Sequence, residues 1–193
     1  MGVVEEMQAQ QAEPNLRGSW AVVVRSQGSS NLTNSERVEA MLRRAALAYR
    51  RALSTDPQYL EARLRLGWVL FLNNSAGPAR QQLEGVRARA TRDDLRYLAH
   101  LFLGAIDEHD HRIDDAVREY EAAHTIAPSH QTALIALIRI EHALGHLDRA
   151  RALAAAYAAL PRTTDDDDPW WRYNMGETSG ELVEWARAQV QRR

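Results

Sequence analysis

Of the 193 residues none is cysteine, and all 24 basic residues are arginine, with no lysine among them. The missing cysteines exclude disulfide scaffolds, zinc ribbons and thiol nucleophiles. The missing lysines exclude Schiff-base chemistry and the phosphate-binding P-loop. Excess charge of one sign is also missing, because 26 acidic residues leave a formal net charge of −2. A near-neutral chain lacks the long-range field that draws proteins to nucleic acid or anionic membranes, so neither is expected as a partner. Long hydrophobic runs are absent too: nothing approaches the ~20 apolar residues that span a bilayer. Residues Met1 to Leu16 carry Glu5, Glu6 and Glu13 in place of the basic start and apolar centre of an export signal. The expectation is a soluble chain without membrane insertion, cytoplasmic by default, with an exported origin left open.

What is present is repetition. A small residue, a residue four later that is usually larger and an apolar one at seven recur as Ala45/Tyr49/Ala52, Ala79/Leu83/Val86, Ala116/Tyr120/Ala123 and, less faithfully, Ala150/Ala154/Tyr157. The first members lie 34, 37 and 34 residues apart. Thirteen residues ahead of the last three stand Leu66-Gly67, Leu103-Gly104 and Leu137-Ile138, so a further helix precedes each triplet. Pro57, Pro128 and Pro161 fall just past second helices, where proline stops a helix for want of an N–H. The second unit ends instead near Thr91-Arg92-Asp93-Asp94, a polar turn with N-cap candidates. Turn-prone residues at Asn73 to Gly77, Asp110 to Arg112 and Gly145-His146 divide each unit into a helical hairpin.

The stretches "EARLRLGWVLF", "AGPARQQLEGV", "YLAHLFLGAIDEHDHRIDDAVREYEAAHTIAP" and "ALIALIRIEHALGHLDRARALAAAYAALP" resemble tetratricopeptide repeats (TPR), most closely through Leu103, Gly104, Ala116, Tyr120, Ala123 and Pro128. The resemblance covers residues 35–161 and implies an all-α fold, a right-handed superhelix of about three and a half stacked antiparallel hairpins. The first unit has only its second helix, Arg37 to Ser54, since Gly28-Ser29-Ser30-Asn31 occupies the place of the first. Residues 1–34 form an N-terminal segment in which Trp20, Val23 and Val24 suggest a capping helix, although Ala21 to Val24 also reads as a short strand. Residues 162–193 comprise an acidic linker, a "DDPWWRYNMG" segment and a last helix near Glu181 to Gln191. That segment is similar to a tail following the repeats in some bacterial TPR proteins of unassigned role.

The resemblance also implies which side chains face the inner surface: Glu61, Leu64, Trp68 and Phe71; Leu98, Leu101, Ala105 and Glu108; Thr132, Ile135, Arg139 and His142. Family members that clamp a terminal carboxylate use lysine, arginine and asparagine there, whereas this sequence offers Arg139 alone, so that clamp is not expected. Trp68 and Phe71 read either as aromatic anchors for an apolar peptide or as core covered by the N-terminal segment or the next hairpin. Trp170 and Trp171 read either as a secondary contact surface or as a plug for the open edge of the last hairpin. The run Asp165 to Asp168 lacks the ligand spacing of a calcium loop and reads as a solvated linker or helix start.

His109, His111, His142 and His146 cluster at turns, and the i, i+4 spacing of the last pair is the low-ranking metal alternative, with Glu108, Asp110 or Glu141 as further ligands. No third ligand is fixed by spacing, so neither metal nor cofactor is expected. Arginines are interspersed with acids along separate helices and form no basic patch. Catalytic signatures, from the nucleophile elbow to His-Glu-x-x-His, are missing. The expected function is a non-enzymatic scaffold binding a protein or peptide. Its rivals are a self-associating homo-oligomeric module and a metal- or small-ligand-binding repeat protein.

Overall fold

The computed structural model describes residues 34–160 and 168–172, and among them are seven α-helices, one short 3₁₀ turn and no strand. The helices are α1 (Asn34–Thr55), α2 (Leu60–Leu72), α3 (Ala76–Arg87), α4 (Asp93–His109), α5 (Ile113–Ile126), α6 (Gln131–Ala143) and α7 (Leu147–Ala159). Pro169–Arg172 forms the 3₁₀ turn. Three hairpins, α2/α3, α4/α5 and α6/α7, follow the lone α1, which is the second helix expected of the first unit. The suggested N-terminal capping helix, the last helix near Glu181 to Gln191 and Pro161 lie outside the described residues.

Each helix packs on the next in chain order, and α2 also packs on α4, so first helices of successive hairpins meet. The alanines that open the triplets, Ala45, Ala79, Ala116 and Ala150, are fully enclosed because only a small side chain fits where the helices cross. One rule governs the core of every hairpin. A residue on the first helix faces a residue sixteen later on the second, and the two are of complementary size. A Cβ on Gly67 would lie 2.7 Å from Leu83, and one on Gly104 would lie 2.6 Å from the Tyr120 ring. In α6/α7 the sizes are exchanged, with Ile138 packed against Ala154. The departure of Leu137-Ile138 from the Leu-Gly pattern is therefore compensated within the same hairpin.

The three intra-hairpin turns share one backbone geometry, with Asn74, His111 and Gly145 at φ of 55°, 60° and 77°. In each, the N–H of this residue donates three residues back and the next N–H donates five back, as in Ser75 to Leu70 (2.9 Å), Arg112 to Asp107 (2.8 Å) and His146 to Glu141 (2.9 Å). These are Schellman closures, which satisfy carbonyls at the helix end and require a left-handed residue. Glycine adopts that conformation freely, asparagine and histidine less so. The first turn is shorter than expected: Ala76 and Gly77 already belong to α3, with Pro78 tolerated in its first turn. Asp93 and Asp94 likewise start α4, where acids favour the positive end of the helix dipole.

Arginines lace the hairpins together. Arg80 on α3 donates to Asp107 on α4 at 2.5 Å, Arg87 on α3 to Glu119 on α5 at 2.6 Å, and Arg149 on α7 to Glu121 on α5 at 2.5 Å. Asp107 and Glu141 stand 34 residues apart at equivalent repeat positions, and both are buried. Each has a cationic partner: Arg112 at 2.8 Å completes the site around Asp107, while Arg149 at 3.1 Å lies beside Glu141. Paired burial of this kind adds little net stability, since desolvation offsets most of the Coulomb gain.

Candidate functional site

The first helices of the three hairpins converge on the segment Asp168–Arg172. None of α2 to α7 receives a side-chain cap from its own N-cap residue. At α6 the N-cap is His130, and the missing cap arrives from Asp168, 36 residues beyond Thr132. Thr132, the second residue of α6, donates its N–H to Asp168 Oδ2 at 3.0 Å and its hydroxyl to the same oxygen at 2.7 Å. Tyr97 on α4 donates its hydroxyl at 3.0 and 3.2 Å to the two oxygens, and the N–H of Trp170 donates to Oδ1 at 3.0 Å. Asp168 is only 2% exposed, so these donors replace its hydration, with the positive end of α6 adding to them.

Burial first, and the adjacent Asp168 carboxylate second, raise the pKa of the Tyr97 hydroxyl well above its ordinary value. The Tyr97 hydroxyl is protonated at neutral pH even without this shift, and the shift extends its donor role to more alkaline pH. The His130 ring meets the Tyr97 ring edge-on, with centroids 4.7 Å apart, and fixes it from the other side.

Two residues on, Trp170 enters an aromatic slot. Trp68 from α2 and Phe102 from α4 stack with centroids 4.5 Å apart, and the Trp170 ring stands edge-on to both at 5.2 and 5.5 Å. These tilted arrangements match the ring quadrupoles. Trp170 is 3% exposed and Trp68 is fully enclosed. Phe71 flanks the slot, 5.6 Å from Trp68 and 5.6 Å from the His109 ring.

Several expectations need correction. Trp68 is core, as the second of its two readings had it; the next hairpin covers it through Phe102 on α4, and the C-terminal Trp170 joins that cover, while the N-terminal segment lies outside the described residues. Leu64, Leu98, Leu101 and Ala105 are buried among the helices and are not presented to a ligand. Trp170 does not plug the edge of the last hairpin, because it reaches back across α4 to α2; the Trp171 side chain lies outside the described residues. Of the two readings of the aspartate run, Asp168 follows the helix start, accepting from the Trp170 N–H in the turn it opens, and it also caps α6; Asp165 to Asp167 lie outside the described residues.

Among the polar positions expected on the inner face, Glu61 is half-buried and pairs with Arg65 at 3.3 Å. Glu108 accepts from Tyr120 at 3.2 Å and pairs with Arg139, so this arginine is already engaged across α4 and α6. Ile135 is half-buried and His142 exposed. The histidines do not assemble. His142 lies in the last turn of α6 whereas His146 lies beyond the left-handed Gly145, so the pair shares no helix face, and His146 Nδ1 sits 2.8 Å from Glu141. His109 Nδ1 lies 3.1 Å from Asp110, and His111 occupies the strained turn position. Among the described residues no three His, Asp or Glu side chains come together as metal ligands, and no helix is long and apolar enough to cross a membrane.

Tyr97, Phe102 and His130 were absent from the expected site. Tyr97 and Phe102 precede Gly104 by seven and two residues, inside a run read only for its packing motif. The Asp168-Pro169 dipeptide carried the legible signal: an acceptor at the N-cap and proline at the first helical position open a helical turn.

The chain matches no protein-family model and no curated protein. Among solved structures it is similar to one described as "Crystal structure of MamA", with a TM-score of 0.56 and 14% identity, covering 86% of this chain and 98% of that one. The likeness establishes the fold. It is a TPR-like right-handed superhelix of stacked antiparallel hairpins, all-α throughout the described residues.

Proposed function

We propose that this chain is a non-enzymatic scaffold that binds a protein or peptide along the inner face of its superhelix. The observation that carries this reading is the seating of Asp168–Trp170 across α2, α4 and the N-terminus of α6. A surface that holds a short turn by a capped carboxylate and a buried tryptophan has the properties of a peptide-binding site. Phe71, Ile135, Arg139 and His142 extend the same face beyond the occupied slot. The arginine–acid pairs between hairpins hold that face in shape before any partner arrives, which limits the ordering cost of binding.

The test is quantitative affinity capture with the unmodified chain and a Phe71→Ala/Ile135→Ala variant of equal helicity by circular dichroism. A partner enriched by the first and lost with the second supports the scaffold. Capture of nothing above control, or equal capture by both baits, contradicts it.

Self-association is a second reading, favoured by Leu144 and Leu147, which are 49% and 44% exposed on either side of the α6–α7 turn. Two large apolar side chains exposed together suit a contact with another copy. Light scattering over a concentration series, with Leu144→Arg as comparison, decides it: a rising mass abolished by the substitution supports a homo-oligomer, and a constant monomer mass removes it.

A further inference from the structure

We infer that the slot between α2, α4 and the N-terminus of α6 recognises segments of other chains in which an aspartate precedes a tryptophan by two residues, and that Asp168–Arg172 occupies it as an internal competitor. This rests on the scaffold reading and adds to it the chemistry of the ligand. Two separate subsites define that chemistry.

The first subsite takes a carboxylate. Its donors are the Thr132 N–H and hydroxyl and the Tyr97 hydroxyl, all on helices rather than loops, and all directed to one buried anion. Among the described residues no arginine contributes, so the site prefers the anion through hydrogen bonds and the α6 dipole. An amide in its place would lose the dipole attraction and present an N–H₂ to donors. The second subsite takes an indole, edge-on to both Trp68 and Phe102. The short turn starting at Pro169 sets the distance between them.

The internal segment also leaves polar capacity beside it. Trp68 Nε1 and His130 Nδ1 are buried without a hydrogen-bond partner among the described residues. Buried polar atoms of this kind are rare in native proteins, and supplying them with partners is favourable. A ligand longer than the internal turn has carbonyls and amides to offer there. The segment belongs to the same chain, seven residues, 161–167, beyond the last hairpin, so its occupancy of the slot is an intramolecular event. A ligand from outside therefore competes with a permanent rival and binds well only when it exceeds the internal segment in contacts or local concentration.

The probe is the peptide acetyl-Asp-Pro-Trp-Trp-Arg-amide with a fluorescent label, titrated by anisotropy into the full chain and into its Asp168→Ala/Trp170→Ala variant. The emptied variant is expected to bind at least about tenfold tighter than the unmodified chain, because the internal rival is removed. Asparagine for aspartate in the peptide, or Tyr97→Phe/Thr132→Val added to the variant, is expected to weaken binding about tenfold or more. Absence of binding to a folded variant, or binding indifferent to these changes, overturns the proposal. Should the emptied variant not fold, excess peptide is added to the unmodified chain and deuterium uptake is followed at 168–172. Increased uptake supports displacement, and unchanged uptake overturns it. A concentration-dependent doubling of mass abolished by Trp170→Ala would also overturn it, assigning the slot to a second copy. A failed titration beside a partner still captured through Phe71 and Ile135 removes the ligand class alone; failure of both removes the scaffold.

Discussion

The third and fourth hairpins, counted with the half-hairpin of α1 as the first, solve the same packing problem in opposite ways. In α4/α5 the first helix supplies Gly104 and the second fills the space with Tyr120; in α6/α7 Ile138 fills it from the first helix and Ala154 makes room. The turn follows the same division, with left-handed His111 in one hairpin and Gly145 in the other. The third hairpin is sandwiched between neighbours, whereas the first helix of the fourth takes its cap from a distant segment. Close packing is conserved as a sum across two positions, and the motif residues are one partition of it. Helix capping is likewise a requirement that any part of the chain can meet.

The comparison is broken most severely by Gly104→Leu. Its Cβ would already lie within 2.9 Å of three Tyr120 ring carbons, and Tyr120 is fully enclosed. The loss expected in urea unfolding is about 3 kcal/mol, the upper end of the overpacking range and beyond the roughly 1 kcal/mol that helix propensity returns. Transplanting the fourth hairpin's solution sharpens the point. Gly104→Ile/Tyr120→Ala is expected to be less destabilised than the sum of its single variants, by about 1 kcal/mol or more in a double-mutant cycle.

Next in size is Asp168→Ala, which leaves the Tyr97 hydroxyl and the α6 terminus without their acceptor. A loss of about 1–2 kcal/mol is expected, concentrated in α6/α7 and readable as a separate early step in chemical denaturation.

The turns come next. Gly145→Ala is expected to cost about 1 kcal/mol because alanine is strained at positive φ, while His111→Gly is expected to gain a few tenths, both read from thermal midpoints. The smallest effect is a pH dependence at the end of the third hairpin. Burial holds the His124 imidazole below its ordinary pKa of 6.5. The unfolded chain therefore takes up this proton more readily than the folded one, so stability is full above about pH 6.5 and falls below it. His124→Gln is expected to reduce the loss between about pH 7.5 and about pH 5 in urea titrations.

The repeat was legible because it is local. Triplets at 34 to 37 residues, prolines after second helices and turn residues between them report contacts within one hairpin or between adjacent ones, and periodicity displays them. The site was legible in part. Thr132 was placed on the inner face because repeat spacing carries it there, and Trp68 was singled out with burial as one of its readings. The next hairpin's share in covering Trp68 was among its readings, but Trp170 could not be read from spacing, since it lies about a hundred residues away and outside the repeat. Asp168 was legible with Pro169 as the start of a helical turn but not as the cap of α6, because that contact joins residues 36 apart in the chain. Tyr97 was passed over because its hydroxyl matters only when the distant carboxylate arrives.

The most direct measurement is amide hydrogen exchange at Thr132 in the unmodified chain and in Asp168→Ala, followed by NMR. If Asp168 caps α6 across the inner face, protection at Thr132 should drop about tenfold or more, equivalent to roughly 1.4 kcal/mol, while the centre of α4 keeps its protection. Equal protection at Thr132 in the two proteins would contradict the seating of Asp168–Trp170 and, with it, the slot on which the peptide-binding reading depends.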